Sequence, residues 1–124
     1  MHSHFRTRHV FAIMDITGEI TFEEAHLIEE RAIKTIPDGF DHVVLNMASV
    51  TRIDSAALAV LLKISKKLAE KDKTLILMKV NDQVKNVMKI TGTFGQFRFV
   101  PDEETLMRNQ SREEVDDFLG SAGD

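Results

Sequence analysis

The sequence predicts an α/β fold with a mostly parallel sheet and crossover helices. Three observations lead there. Continuous apolar runs of strand length recur at residues 10–16 (VFAIMDI), 42–47 (HVVLNM) and 74–80 (TLILMKV); runs that do not alternate belong to strands buried on both faces. Between them lie segments whose apolar residues recur at three- and four-residue spacing, as amphipathic helices require. Strand and helix therefore alternate, the pattern of βαβ units, whose crossovers are right-handed.

In chain order, residues 5–8 are expected to pair antiparallel with the first apolar run, which Thr17-Gly18-Glu19 then breaks. Thr21-Phe22-Glu23-Glu24 has the pattern of a capping box, with the Thr21 hydroxyl accepting from the Glu24 amide and the Glu24 carboxylate reaching back. A helix follows, with Phe22, Ala25, Ile28, Ala32 and Ile36 on its apolar face, and Pro37-Asp38-Gly39 ends it. After the strand at 42–47, residues 49–54 are expected as a loop. Residues 55–71 form a second helix, with Leu58, Leu61, Leu62, Ser65 and Leu68 as its inner stripe and Lys63, Lys66, Lys67 and Glu70 mostly toward solvent. Val84, Val87, Met88 and Ile90 predict a third helix, capped by Asn81 or Asp82 and stopped at Gly92. Residues 97–100 (FRFV) are a last short strand, and residues 102–107 open a fourth helix.

No internal repeat or linker divides the chain, so one domain is expected over residues 1–108. Residues 109–124 form an acidic C-terminal tail or short helix. Their few apolar residues, Val115, Phe118 and Leu119, predict that removing them costs little stability. The net charge of −4 resides there, where Arg112 faces Glu113, Glu114, Asp116, Asp117 and Asp124; residues 1–110 balance. A nucleic-acid footprint would need a net basic patch, so no nucleic-acid partner is expected. No apolar run approaches the roughly 18 residues that span a bilayer, and the first residues lack the apolar core of a signal peptide. The expectation is a cytoplasmic protein without membrane insertion.

Enzyme signatures are sparse. Cysteine is absent, which excludes disulfides, thiolate catalysis and cysteine-based metal centres. There is no nucleophile elbow, phosphate-binding glycine loop or HExxH motif; Gly92-Thr93-Phe94-Gly95 reads as a helix stop. His2, His4 and His9 are expected in a mobile terminus, and His26 and His42 as half-exposed packing residues. The expectation is a protein that is not an enzyme and holds no cofactor or metal.

The informative segment runs from Val43 to Leu58 (VVLNMASVTRIDSAAL). A buried strand leads to Asp54-Ser55 at a helix N-terminus, and in open α/β sheets sites gather beyond the carboxyl ends of strands. Either residue suits an N-cap, since its oxygen accepts from the free amides of the first turn. Ser55 also suits a phosphoacceptor. A phosphate adds about −1.5 to −2 charges, which helix amides and dipole can hold. Ala56 and Ala59 leave room for a partner to approach.

These residues resemble the STAS family. The VVLN strand followed by Ile53-Asp54-Ser55-Ala56-Ala57-Leu58 is similar to its apolar strand and Asp-Ser-Ser/Ala-Gly-Leu signature, and Thr17-Gly18-Glu19-Ile20 to its Gly-Glu-Leu-Asp turn. The resemblance covers roughly residues 10–107. It implies a four- or five-stranded mixed sheet with about four helices packed mainly on one face. It also implies an anti-sigma factor antagonist whose Ser55 is phosphorylated by an anti-sigma factor and serine kinase of the histidine-kinase-like ATPase type, with a PP2C-type phosphatase resetting it. The partner surface so implied comprises Thr21, Asp54, Ser55, Ala56, Ala57 and Ala59. Ala57 and Ala59 stand where the family has glycines, and Thr21 and Asn46 where it often has aspartates. Two other readings stay open: a constitutive STAS adaptor in a signalling scaffold or beside a lipid transporter, with Ser55 only a cap, and a small-molecule or nucleotide binder at the same loop.

Overall fold

The structure, a computed structural model, describes residues 1–34 and 40–108. The expected helix stop at Pro37-Asp38-Gly39 and the acidic segment 109–124 lie outside the described residues. The elements are β1 (His2–Arg8), β2 (Phe11–Ile20), α1 (Phe22–Lys34), β3 (His42–Ile53), α2 (Ser55–Ala69), β4 (Thr74–Met78), α3 (Asp82–Ile90), a 3-10 turn (Phe94–Gln96), β5 (Arg98–Val100) and α4 (Glu103–Arg108).

The five strands form one mixed sheet in the order β1-β2-β3-β4-β5. β1 runs antiparallel to β2, and the other neighbours are parallel. The register explains why the central runs are apolar throughout. Ile13, Val44 and Ile76 lie side by side and join Leu106 and Met107 of α4 on one face. Met14, Leu45 and Leu77 lie beside one another on the other face, under α1, α2 and α3. Three helices thus cover one face, as expected of the family resemblance, and the short α4 packs on the second. Each large side chain fully buried in this way contributes about 1.5–3 kcal/mol.

Several boundaries differ from expectation, each for a physical reason. β1 begins at His2, because residues 2–8 pair continuously with residues 11–17; His2 and His4 are strand residues and not a mobile terminus. His9 turns the chain between β1 and β2 at φ 53°. β2 continues through Thr17-Gly18-Glu19 to Ile20, with register shifts between Asp15 and Thr17 and between Gly18 and Glu19. Gly18 absorbs the distortion at φ 102°, a conformation L side chains rarely adopt. β4 ends at Met78 because Lys79 turns left-handed at φ 57°.

The buried face of α2 is Ala57, Leu58, Val60, Leu61, Ile64 and Leu68, while Leu62 and Ser65 are half-buried. The helix is rotated toward α1 relative to the stripe expected, since it packs on α1 as well as on the sheet. His42 is fully buried, its ring 5.5 Å from that of Phe11, where a half-exposed residue was expected. His26 is half-exposed as expected. Asn81, and not Asp82, caps α3, accepting from the Val84 amide at 2.8 Å.

Candidate partner-binding site

The site begins with strand length. β3 does not stop at Met47 for a loop; it pairs with β2 as far as Ile53, beyond the last residue that β4 covers. Asp54 therefore follows a strand directly. Its amide donates to the Ile20 carbonyl at 3.3 Å, continuing the β2–β3 register past the pair Ile20 and Ile53. Asp54 has extended backbone (φ −93°, ψ 165°) and its carboxylate accepts from the Ala57 amide at 2.7 Å. Asp54 is the N-cap of α2, and Ser55 is the first helical residue.

The structure brings Asp54, Ser55, Ala56 and Ala59 onto one exposed surface. Ala57 is not part of it. Its side chain is fully buried, because it points from the first turn into the sheet, so it cannot touch a partner as the resemblance implied. Thr21 is half-buried, and its carbonyl accepts from the Ala25 amide at 2.9 Å. The reciprocal capping box is replaced by another contact: the Glu24 carboxylate faces the N-terminal ammonium at 3.8 Å. Asn46 lies farther back on β3, paired with Asp15, and takes no part in the surface.

Phe22 fits the inner spacing of α1, yet it is 48% exposed. α1 starts two residues after Ile20 and α2 two residues after Ile53, and Ile20 and Ile53 are register partners. Phe22 and Ser55 therefore each open a helix at the same end of the sheet, beyond the carboxyl ends of the adjacent strands β2 and β3. The Phe22 ring stands edge-on to His26, with centroids 4.6 Å apart. The signal available in sequence was its position immediately after Thr21, in a first turn that precedes the buried stripe of Ala25, Ile28 and Ala32.

The charges around the site are arranged along α2. No acidic residue occurs from Ser55 to Ala69, while Lys63, Lys66 and Lys67 do. Lys63 and Lys67 reach Glu29 of α1 at 3.5 and 3.4 Å, and His26 lies 3.3 Å from the same carboxylate. Burial pushes the Glu29 carboxyl up, but His26 and the two lysines outweigh it and hold the group below its ordinary value. Arg52, just before the site, pairs with Glu19 at 3.2 Å. Among the described residues, no group of three His, Asp or Glu side chains converges as a metal site would require, and no helix is long and apolar enough to cross a membrane.

The fold agrees with what comparison with known proteins finds. The family model for the STAS domain matches residues 4–106. An anti-sigma factor antagonist from Mycobacterium paratuberculosis superposes with TM-score 0.73 at 17% identity, covering 89% of this chain and 94% of that one. The anti-sigma factor antagonist SpoIIAA superposes in its unphosphorylated form with TM-score 0.69 (15% identity, 86% of this chain and 95% of that one). The phosphorylated form of the Bacillus protein gives 0.64 (16%, 86% and 98%). The murine anion transporter Slc26a9 matches with TM-score 0.63 at 16% identity, over 94% of this chain but 18% of that one. At these identities the superpositions show a shared fold, found both in anti-sigma antagonists and in an anion transporter.

Proposed function

We propose that this chain, which belongs to the STAS domain family, is a protein-interaction switch read at Ser55. Unphosphorylated, it binds an anti-sigma factor with serine kinase activity of the histidine-kinase-like ATPase type. Transfer of the γ-phosphoryl group of ATP to the Ser55 oxygen, with loss of the hydroxyl proton and release of ADP, dissociates the pair. A PP2C-type phosphatase hydrolyses the phosphoserine and restores the binding form. The chain itself acts by binding and not by turnover.

The observation that carries this reading is the exposure of Ser55 at the first position of α2, beside the capping carboxylate of Asp54 and next to the exposed Ala56 and Ala59. Phosphate there meets the positive end of the helix, so the fold tolerates it. The nearest cation along the chain, Arg52, is already paired with Glu19. Lys63 lies eight residues on, about 12 Å at the helical rise. The phosphate charge is therefore left beside Asp54, and covering two like charges with a partner can cost several kcal/mol. SpoIIAA, which shares the fold, has been solved unphosphorylated and phosphorylated, which supports reading this chain as phosphorylation-controlled.

The test uses purified ATPase-type anti-sigma kinases from the organism that encodes the chain, each titrated against wild type, Ser55→Ala and Ser55→Asp. One kinase binds wild type and Ser55→Ala alike and Ser55→Asp at least about tenfold more weakly, within the usual range of a coupling free energy. With ATP, that kinase adds one phosphate to wild type and none to Ser55→Ala by intact mass. Equal affinity of both variants, with no phosphate on Ser55 in cells, would refute the switch and leave a constitutive adaptor.

A further inference from the structure

We infer that Phe22 and the lysine-bearing length of α2 set the specificity of the partner surface: an apolar pocket of the partner takes the Phe22 ring, and acidic residues of the same partner lie on Lys63 and Lys66. The inference rests on the reading above for the placement of the partner over Ser55, and goes beyond it in naming the partner's chemistry.

Large hydrophobic side chains exposed among the described residues are Phe22, Leu27 and Ile90. Ile90 is on α3, and Leu27 is five residues from Phe22, about 140° around α1. Phe22 alone of the three opens its helix at the end of the sheet where Ser55 opens α2. Its ring is held edge-on by His26 rather than extended loosely into water, so little freedom is lost when a partner covers it. Rigid aromatic side chains near the centre of an interface are the usual anchors of binding energy.

Beside it the ridge of α2 changes character along its length. Ala56 and Ala59 are exposed and small, offering a flat path next to Ser55. Beyond them come Lys63 and Lys66, about 12 and 16 Å from Ser55 at the helical rise, with Lys67 on the side of α1. Lys63 and Lys67 share the single carboxylate of Glu29 and Glu70 follows Lys66 by one turn, so the three lysines of this end keep one net positive charge. At the other end sits Asp54. A partner with acids over the lysines and an apolar, uncharged surface over Phe22 and Ser55 matches both ends; reversed, it would set its acids against Asp54. The pattern therefore fixes orientation as well as partner class.

The test places the photo-crosslinking amino acid p-benzoylphenylalanine at positions 22, 59, 66 and 27 of the full chain in its native host. Positions 22, 59 and 66 should trap one and the same protein, with acidic residues in the peptide joined to position 66, and position 27 should not trap it. Against that protein in purified form, Phe22→Ala should lose about tenfold or more in affinity. Lys66→Glu should weaken binding and flatten its salt dependence, and Leu27→Ala should stay within roughly twofold. Melting curves of each variant exclude unfolding. Absence of trapping at position 22, equal trapping at positions 22 and 27, or unchanged affinity of Phe22→Ala overturns the inference. If Phe22→Ala fails to bind but Ser55→Asp binds as wild type, the surface stands and the phosphorylation switch falls.

Discussion

The side-chain amide of Asn46 donates a 2.7 Å hydrogen bond to Asp15, its register partner on the neighbouring strand. The other end of the same amide accepts from the backbone of Ala48 at 3.2 Å. Asp15 also receives Arg6 at 2.7 and 3.2 Å, and Arg6 continues to Glu103 of α4 at 2.5 Å. Arg8 joins Glu103 as well. The residue that departs from the family's common aspartate thus joins β3 to β2, β1 and α4. A carboxylate in its place would face Asp15 at hydrogen-bond distance. We predict that Asn46→Asp lowers stability at pH 7 by about 1–3 kcal/mol, and that the loss shrinks in acid as the pair takes up one proton. Urea melts at pH 7 and pH 5 measure it; an unchanged midpoint at pH 7 contradicts the bond.

The same network sets the response to acid. Hydrogen bonds from Arg6 hold the Asp15 carboxyl below its ordinary 3.8, and those from Arg6 and then Arg8 hold Glu103 below its ordinary 4.5, burial opposing in each case. Both groups bind protons more readily unfolded than folded. Their contribution is complete above the ordinary values and is lost as pH falls through the lowered ones. Denaturation midpoints should therefore be flat near neutrality and decline below roughly pH 4–5. Glu103→Gln should be less stable than wild type at pH 7 and decline less steeply in acid; a parallel decline shows that Glu103 is not among the groups responsible.

Helix capping at the start of α2 belongs to Asp54. Replacing it with alanine should cost about 0.5–2 kcal/mol. Ser55→Ala, at the first helical position, should stay within about 0.5 kcal/mol of wild type. Chemical denaturation of the two variants side by side decides which residue caps α2, and a larger loss for Ser55→Ala would reverse the assignment.

The two alanines that flank Leu58, Ala57 and Ala59, should separate cleanly in experiment. Ala57→Gly acts on the helix, costing about 1 kcal/mol, with partner affinity unchanged. Ala59→Arg puts a long side chain on the exposed path; its melting temperature should stay near wild type while affinity for the partner falls by about tenfold or more. A loss of binding in Ala57→Gly without loss of stability would place Ala57 at the interface after all.

Much of the fold was legible because its strands are buried on both faces. The runs around Ile13, Val44 and Ile76 admit no alternation, so their spacing and the helices between them follow from hydrophobicity alone. The extensions of β1, β2 and β3 were not legible. Ala48, Ser49, Thr51 and Arg52 are polar or small and exposed, and such residues read as loop although backbone pairing with β2 makes them strand. Asp54 and Ser55 could be located from the Asp-Ser pair before an apolar stripe, but not ranked, since both suit a cap. The burial of Ala57 and the exposure of Phe22 were hidden because a helix's first turn is oriented by the strand that feeds it, and that strand was assigned too short.

The order of strands in the sheet is the order in which they are translated. No strand waits for a later one before finding its neighbour, so each closure during assembly spans a single crossover between consecutive strands, and closure entropy grows with the length closed. On the ribosome the sheet can grow from one edge only, each new strand becoming the next edge. β2 and β3 precede Asp54 and Ser55 in the chain, so they can pair before β4, the strand that will shield the far margin of β3, has been made. During that interval the apolar margin of β3 is open to other nascent chains. The speed at which α2 and β4 follow then governs how much of the protein reaches its folded state unaggregated.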